Sequence, residues 1–193
     1  MNQQVAELTH AAHAAGSRVA RHGAIALRSA EDVAGIARAG QVVAAALDAA
    51  ERCVRSGITT ADLDAVVREA IAAHGGEAAF LHYPHPSGGT AFPAAACIGV
   101  GNQVVHGIPG RRILASGDLV KIDVGVRLDG WCADAAVSVR VPGACAEAAS
   151  LDSFVADAWE ALHAGIAAMQ PGARWSDRSE EHTSELQSRV DIS

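Results

Sequence analysis

The sequence predicts an α+β fold in which helices cover an antiparallel sheet. Three observations carry that expectation. Residues 119–141 alternate apolar and polar side chains on both sides of Asp129-Gly130, the pattern of a two-stranded hairpin. Two earlier segments carry apolar residues at helical spacing behind residues that cap helices. The composition is rich in alanine with only 4% aromatic residues, which suits helices packed closely on a sheet and argues against an aromatic-rich binding surface.

The first helix is expected from Ser29 to about Arg55. Ser29 followed by Asp32 forms a capping box with Asp in place of Glu. Its apolar face is read as Val33, Ile36, Ala37, Gly40, Val43, Ala44 and Leu47, and Gly57 stops it. Thr59 or Thr60 caps a second helix carrying Leu63, Val66, Val67, Ala70 and Ile71, which Gly75 and Gly76 end. Residues 80–93 contain Pro84, Pro86, Gly88, Gly89 and Pro93 and so form a loop. His82 and His85 sit there at H-x-x-H spacing. With no helix to orient them, they read as exposed loop histidines rather than a metal clip. A strand at Ala95–Val100, a turn at Gly101-Asn102, a short strand at Gln103–His106 and a turn at Pro109-Gly110 follow.

In the hairpin, Leu128 and Trp131 close the turn, so Gly125 faces Asp134 and Asp123 faces Ala136. One face then holds Val120, Ile122, Val124 and Val126; the other holds Lys121, Asp123, Gly125, Cys132 and Asp134. A slip of one residue would scramble this separation, so the register is well specified. A third helix is expected from about Glu147 to Met169, using Leu151, Phe154, Val155, Ala158, Leu162 and Ile166, and ending at Pro171-Gly172.

The flanks differ in character. Residues 1–27 read as a flexible extension. Residues 178–193 are polar, rich in Ser and Glu, and without periodicity. Their run Arg178–Ser188 looks like a translated sequencing-adapter oligonucleotide, so the natural sequence is expected to end near Asp177. The formal charge is −7, which gives no footprint for nucleic acid or anionic membranes and tolerates cations. Cys53, Cys97, Cys132 and Cys145 form no C-x-x-C pair and read as reduced thiols of a cytoplasmic protein, not as a zinc site. No signal peptide and no run approaching a membrane span is read.

Asp123 and Asp134 are the candidates for chemistry. They lie on one face of the hairpin as diagonal neighbours, about 7–8 Å apart at the backbone. Their carboxylates can converge on a shared point, as two metals held about 3.5–4 Å apart require. Gly125, opposite Asp134, leaves space on that face. Two like charges so close repel unless a cation lies between them. On spacing alone, two acids on a solvated face beside Lys121 and Arg127 are the commoner arrangement.

The surrounding motifs shift that balance. Asn102–Gly110, Gly117–Gly125 and Asp129–Asp134 resemble the corresponding segments of type I methionine aminopeptidases, in that family's order. The resemblance covers roughly Ser29 to Asp177. It implies a pita-bread fold, of which residues 28–177 would be the N-terminal part of the catalytic domain. It further implies two divalent metal ions (cobalt, manganese, iron or zinc) and removal of the N-terminal methionine from newly made polypeptides. The polypeptide N-termini would be its partners, with a place at the ribosome in the cytoplasm. By position, Asp123 resembles a ligand of one metal and Asp134 the ligand bridging both. His106 resembles the catalytic histidine that hydrogen-bonds the substrate, and Phe92 and Cys97 the wall of the methionine pocket.

Two departures stand out. The family completes its metal shell with a histidine and two glutamates from its second half and uses a second histidine there. No segment here matches them. Glu180, Glu181 and His182 lie in the foreign-looking tail and take none of those roles, so the chain is expected to be an inactive fragment. The loop Pro84–Thr90 also replaces the aromatic-and-histidine pattern expected before Phe92-Pro93. Two other readings share the fold. An Xaa-Pro-type aminopeptidase has the same hairpin, but His106-Gly107-Ile108-Pro109 favours methionine specificity. A metal-free pita-bread protein that binds peptides or partners would usually have lost the two aspartates kept here.

Overall fold

The computed structural model describes residues 27–85 and 88–172. The extension at 1–26 and the tail at 178–193 lie outside the described residues. The chain falls into two compact units, one through Val141 and one from Pro142.

The first unit opens with helix α1, Ala30–Cys53. Ser29 accepts from the Asp32 amide while the Asp32 carboxylate accepts from the Ser29 amide, completing the capping box. Helix α2, Thr60–Ala73, begins at a second such box, with Thr59 as cap and Asp62 as its partner. Four strands follow: β1 Glu77–Ala78, β2 Ala96–Val100, β3 Leu119–Leu128 and β4 Trp131–Arg140. All pair antiparallel. β4 takes one edge of β3 along its whole length, and β1 and β2 share the other edge end to end.

The hairpin has the expected register: Leu128 pairs with Trp131, Gly125 with Asp134 and Asp123 with Ala136. Asp129 and Gly130 both adopt positive φ, as a two-residue turn that matches strand twist requires. The apolar face of β3, formed by Val120, Ile122, Val124 and Val126, is fully buried. It packs in one core with Val42, Ala46 and Ala50 of α1 and Leu63, Val67 and Ile71 of α2. Burial of each of the larger aliphatic side chains contributes about 1.5–3 kcal/mol.

Three expectations within this unit are corrected. The buried stripe of α1 is Gly35, Ala39, Val42, Val43, Ala46 and Ala50, whereas Val33 and Ile36 are exposed. Small residues form the contact because the helix lies close to the sheet: a Cβ on Gly35 would sit 2.3 Å from the Trp131 indole nitrogen. Residues 103–106 form no strand, and Val104 and Val105 are exposed. The backbone instead turns away at His106, whose φ is +55°. Pro109-Gly110 forms no turn; Gly110 is tied to the start of α2, where its carbonyl accepts from the Ala61 amide. Its amide donates to the Thr60 hydroxyl.

By length and composition α1 could also cross a membrane, against the reading that no run approaches a span. Its stripe lies in the protein core. In the second unit, helix α3 spans Ala148–Ala167. The expected periodicity produces the helix, but only Ala161 is buried, and Phe154, Leu162 and Ile166 are exposed. A positive-φ Gly172 follows it.

Candidate active site

The polar face of the hairpin brings Asp123 and Asp134 together. Their side chains interact directly, and burial followed by the Asp134 charge raises the Asp123 pKa from 3.8 to about 6. A hydrogen bond with Asp134 adds to the rise, and the nearby His106 opposes it. Asp123 is half-buried and Asp134 exposed. Two acids held this close bind a shared proton more readily, and a divalent cation can take that proton's place.

β2 adds Cys97, the cross-strand partner of Asp123. Its thiol is buried and its pKa is pushed up to about 11, first by burial and then by the charges of Asp123 and Asp134. The start of β2 is fixed by a residue that motif reading missed. Asp64 of α2 accepts hydrogen bonds from the Ala95 and Ala96 amides, at 2.8 and 2.9 Å. Arg68, one turn along, pairs with the same carboxylate at 3.0 Å. Asp64 was detectable: it lies beside Leu63 and Val67 on the stripe that faces the core.

His106 reaches the site from the segment after β2. The Ile98 amide donates to the Gly107 carbonyl at 2.8 Å, and a Cβ on Gly107 would lie 2.3 Å from the Ile98 oxygen. Only glycine permits that approach. It presses His106 against β2, with Nδ1 4.0 Å from the Cys97 sulfur.

These groups open on one cavity of about 750 Å³, lined by Phe92, Cys97, His106, Asp123 and Asp134. The structure therefore brings together all five residues singled out in the sequence. It also adds Phe80 and Tyr83, which sequence reading left in the loop. Phe80 corrects one expectation. The space above Gly125 is filled by the Phe80 ring, which would lie 2.5 Å from a Cβ there. His82 and His85 are exposed, although His85 also borders the cavity.

The donor set fits part of a divalent-metal shell. Two facing carboxylates supply hard oxygen donors, and a cation would offset both the burial and the Asp134 charge that raise the Asp123 pKa. Among the described residues, no cluster of three or more His, Cys, Asp or Glu side chains is placed to hold a metal. The four cysteines are free thiols.

Comparison with known proteins agrees with this arrangement. The chain is 39% identical over 152 residues to methionine aminopeptidase 1 of Mycobacterium tuberculosis, covering 78% of this chain and 53% of that protein. It thus spans about half the length of that relative. A methionine aminopeptidase structure from Rickettsia prowazekii superposes with a TM-score of 0.78 at 28% identity, covering 86% of this chain and 63% of that one. Prolidase from Pyrococcus furiosus shares the fold alone, with a TM-score of 0.70 at 18% identity over 85% of this chain and 44% of that one. The antiparallel sheet and its helices are thus part of the expected pita-bread fold. Residues 34–189 match the family described as metallopeptidase family M24, a span that runs into the tail read above as foreign. The chain belongs to metallopeptidase family M24.

Proposed function

We propose that the protein containing this chain removes N-terminal methionine from newly made polypeptides, and that residues 28–177 form the front part of its catalytic domain. The observation that carries the reading is the pair Asp123 and Asp134, interacting in the lining of a cavity that His106 also lines. Asp123 would hold one divalent ion and Asp134 would bridge two. Such ions acidify a water and polarise the scissile carbonyl. His106 would donate a hydrogen bond to the substrate near the peptide to be cut. Phe92 and Cys97 would form the wall that takes the methionine side chain, whose flexible thioether suits a small apolar pocket.

The curated relatives it matches at 34–40% identity are methionine aminopeptidases, which supports this substrate over an Xaa-Pro peptide. Retention of both aspartates supports an enzyme over a metal-free binding protein. The partners follow as polypeptide N-termini at the ribosome, in the cytoplasm. The tail from 178 is read as non-native, which resequencing the gene past the codon for Asp177 tests.

The functional test uses the protein as its gene encodes it. Chelation should abolish cleavage of a Met-Ala peptide, and cobalt, manganese, iron or zinc should restore it. Asp134→Ala should be inactive by at least about a hundredfold while the hairpin stays folded, since the variant loses the residue assigned to both ions. Full turnover by Asp134→Ala would refute the assignment.

A further inference from the structure

We propose that Cys97 is a positioning residue: its thiol, facing Nδ1 of His106, holds the imidazole in the tautomer that carries its proton on Nε2. The inference rests on the proposed role of His106 as a hydrogen-bond donor to substrate.

Three features of the structure lead to it. Cys97 is fixed near the start of β2, paired with β3 through Asp123, and is only 6% exposed. His106 is held in a left-handed conformation, φ +55°, by the clamp between Gly107 and Ile98, one residue beyond Cys97. Such strained backbone persists only where its surroundings over-determine it. The clamp fixes the backbone from which the exposed His106 reaches the thiol. Finally, Cys97 is the one hydrogen-bonding partner that Nδ1 has among the described residues, at 4.0 Å, a long contact even for sulfur.

The direction of the bond follows from the donors and acceptors present. A neutral imidazole has one N–H and one bare nitrogen, and a thiol is a weak donor and a weaker acceptor. The imidazole nitrogen is much the better acceptor of the two, so the S–H points to Nδ1. That leaves the proton on Nε2, the nitrogen away from Cys97 and free to donate into the cavity that both residues line. Exchanging the tautomers would turn this donor into an acceptor and remove the bond that His106 offers a substrate carbonyl.

The test is nitrogen-15 NMR of histidine-labelled, metal-free protein, as encoded, with the imidazoles neutral. In the parent protein Nδ1 of His106 should be pyridine-like and Nε2 pyrrole-like. Cys97→Ala should raise the Nδ1–H population about two- to fivefold, the scale of one weak hydrogen bond. Cys97→Ser, which keeps one donor, should return it toward the parent value. A pyrrole-like Nδ1 in the parent protein overturns the proposal without any variant. So does a tautomer ratio that Cys97→Ala leaves unchanged. In peptide cleavage the positioning role predicts that Cys97→Ala lowers kcat and Cys97→Ser restores much of it. A wall residue alone would raise KM with kcat unchanged. If the NMR result holds while His106→Ala cleaves at the parent rate, the tautomer assignment stands and the proposed role of His106 falls.

Discussion

Asp64 shows how a single carboxylate can organise a site it does not enter. It is 7% exposed, accepts from two backbone amides at the start of β2, and pairs with Arg68. Asp64→Ala would leave both amides buried without a partner, at about 1–3 kcal/mol each. Urea unfolding should show a loss of about 2–5 kcal/mol. Asp64→Asn keeps one acceptor oxygen and should lose clearly less; equal losses would mean that charge rather than hydrogen bonding fixes β2. Gly35 is the other informative residue. Alanine normally stabilises a helix interior over glycine by about 1 kcal/mol. Here the added Cβ would strike the Trp131 indole, against which the Arg28 guanidinium lies at 5.6 Å. Gly35→Ala should therefore destabilise by about 1–3 kcal/mol, and a raised unfolding midpoint would contradict the close packing of α1 on β4.

At the scale of elements, legibility followed how strongly local chemistry constrained each one. The hairpin was readable because Asp129-Gly130 fixes the turn and a period of two assigns every side chain from it. The starts of α1 and α2 were readable because their caps are local: Ser29 with Asp32 was read as a box, and Thr59, left open against Thr60, forms one with Asp62. The inner face of α1 was only partly readable, because Gly35, Ala39, Ala46 and Ala50 share it with Val42 and Val43 while Val33 and Ile36 point outward. Hydrophobic size misleads when close approach selects for small residues. Phe80 was hidden for another reason: a loop has no period, so nothing local placed its ring over Gly125. The second capping box also makes a pH prediction. Hydrogen bonds from the Thr59 hydroxyl and amide hold the Asp62 pKa below 3.8. A carboxylate with a depressed folded pKa stabilises fully above 3.8 and loses that contribution as pH falls through the folded value. The gap in urea midpoint between parent and Asp62→Asn should be constant near neutrality and narrow on acidification below 3.8. A gap that widens there would reverse the sign and remove the capping role.

At the scale of the whole molecule, three of the five site residues sit on one sheet and the other two, Phe92 and His106, on the segments before and after β2. Asp123 and Asp134 come from the hairpin, Cys97 from the neighbouring strand, and His106 from the segment clamped to that strand. The sequence alone could align the two aspartates, since they share a hairpin. It could bring in His106, Phe92 and Cys97 only through resemblance, because their contacts with the aspartates span loops. What the described residues supply is two carboxylates, and two carboxylates hold a pair of divalent ions poorly, since water must fill the remaining positions. Among the described residues β4 pairs with β3 alone, and no strand lies along its other edge. Such an edge invites pairing with another chain. These features make one prediction about the 193-residue chain expressed by itself. It should bind divalent cobalt or manganese at least about a hundredfold more weakly than a version continued with the remaining native sequence, by titration calorimetry. It should also cleave no Met-Ala peptide and show concentration-dependent association in light scattering. Equal metal affinity and turnover per mole in two monodisperse samples would show that the two aspartates and their cavity suffice.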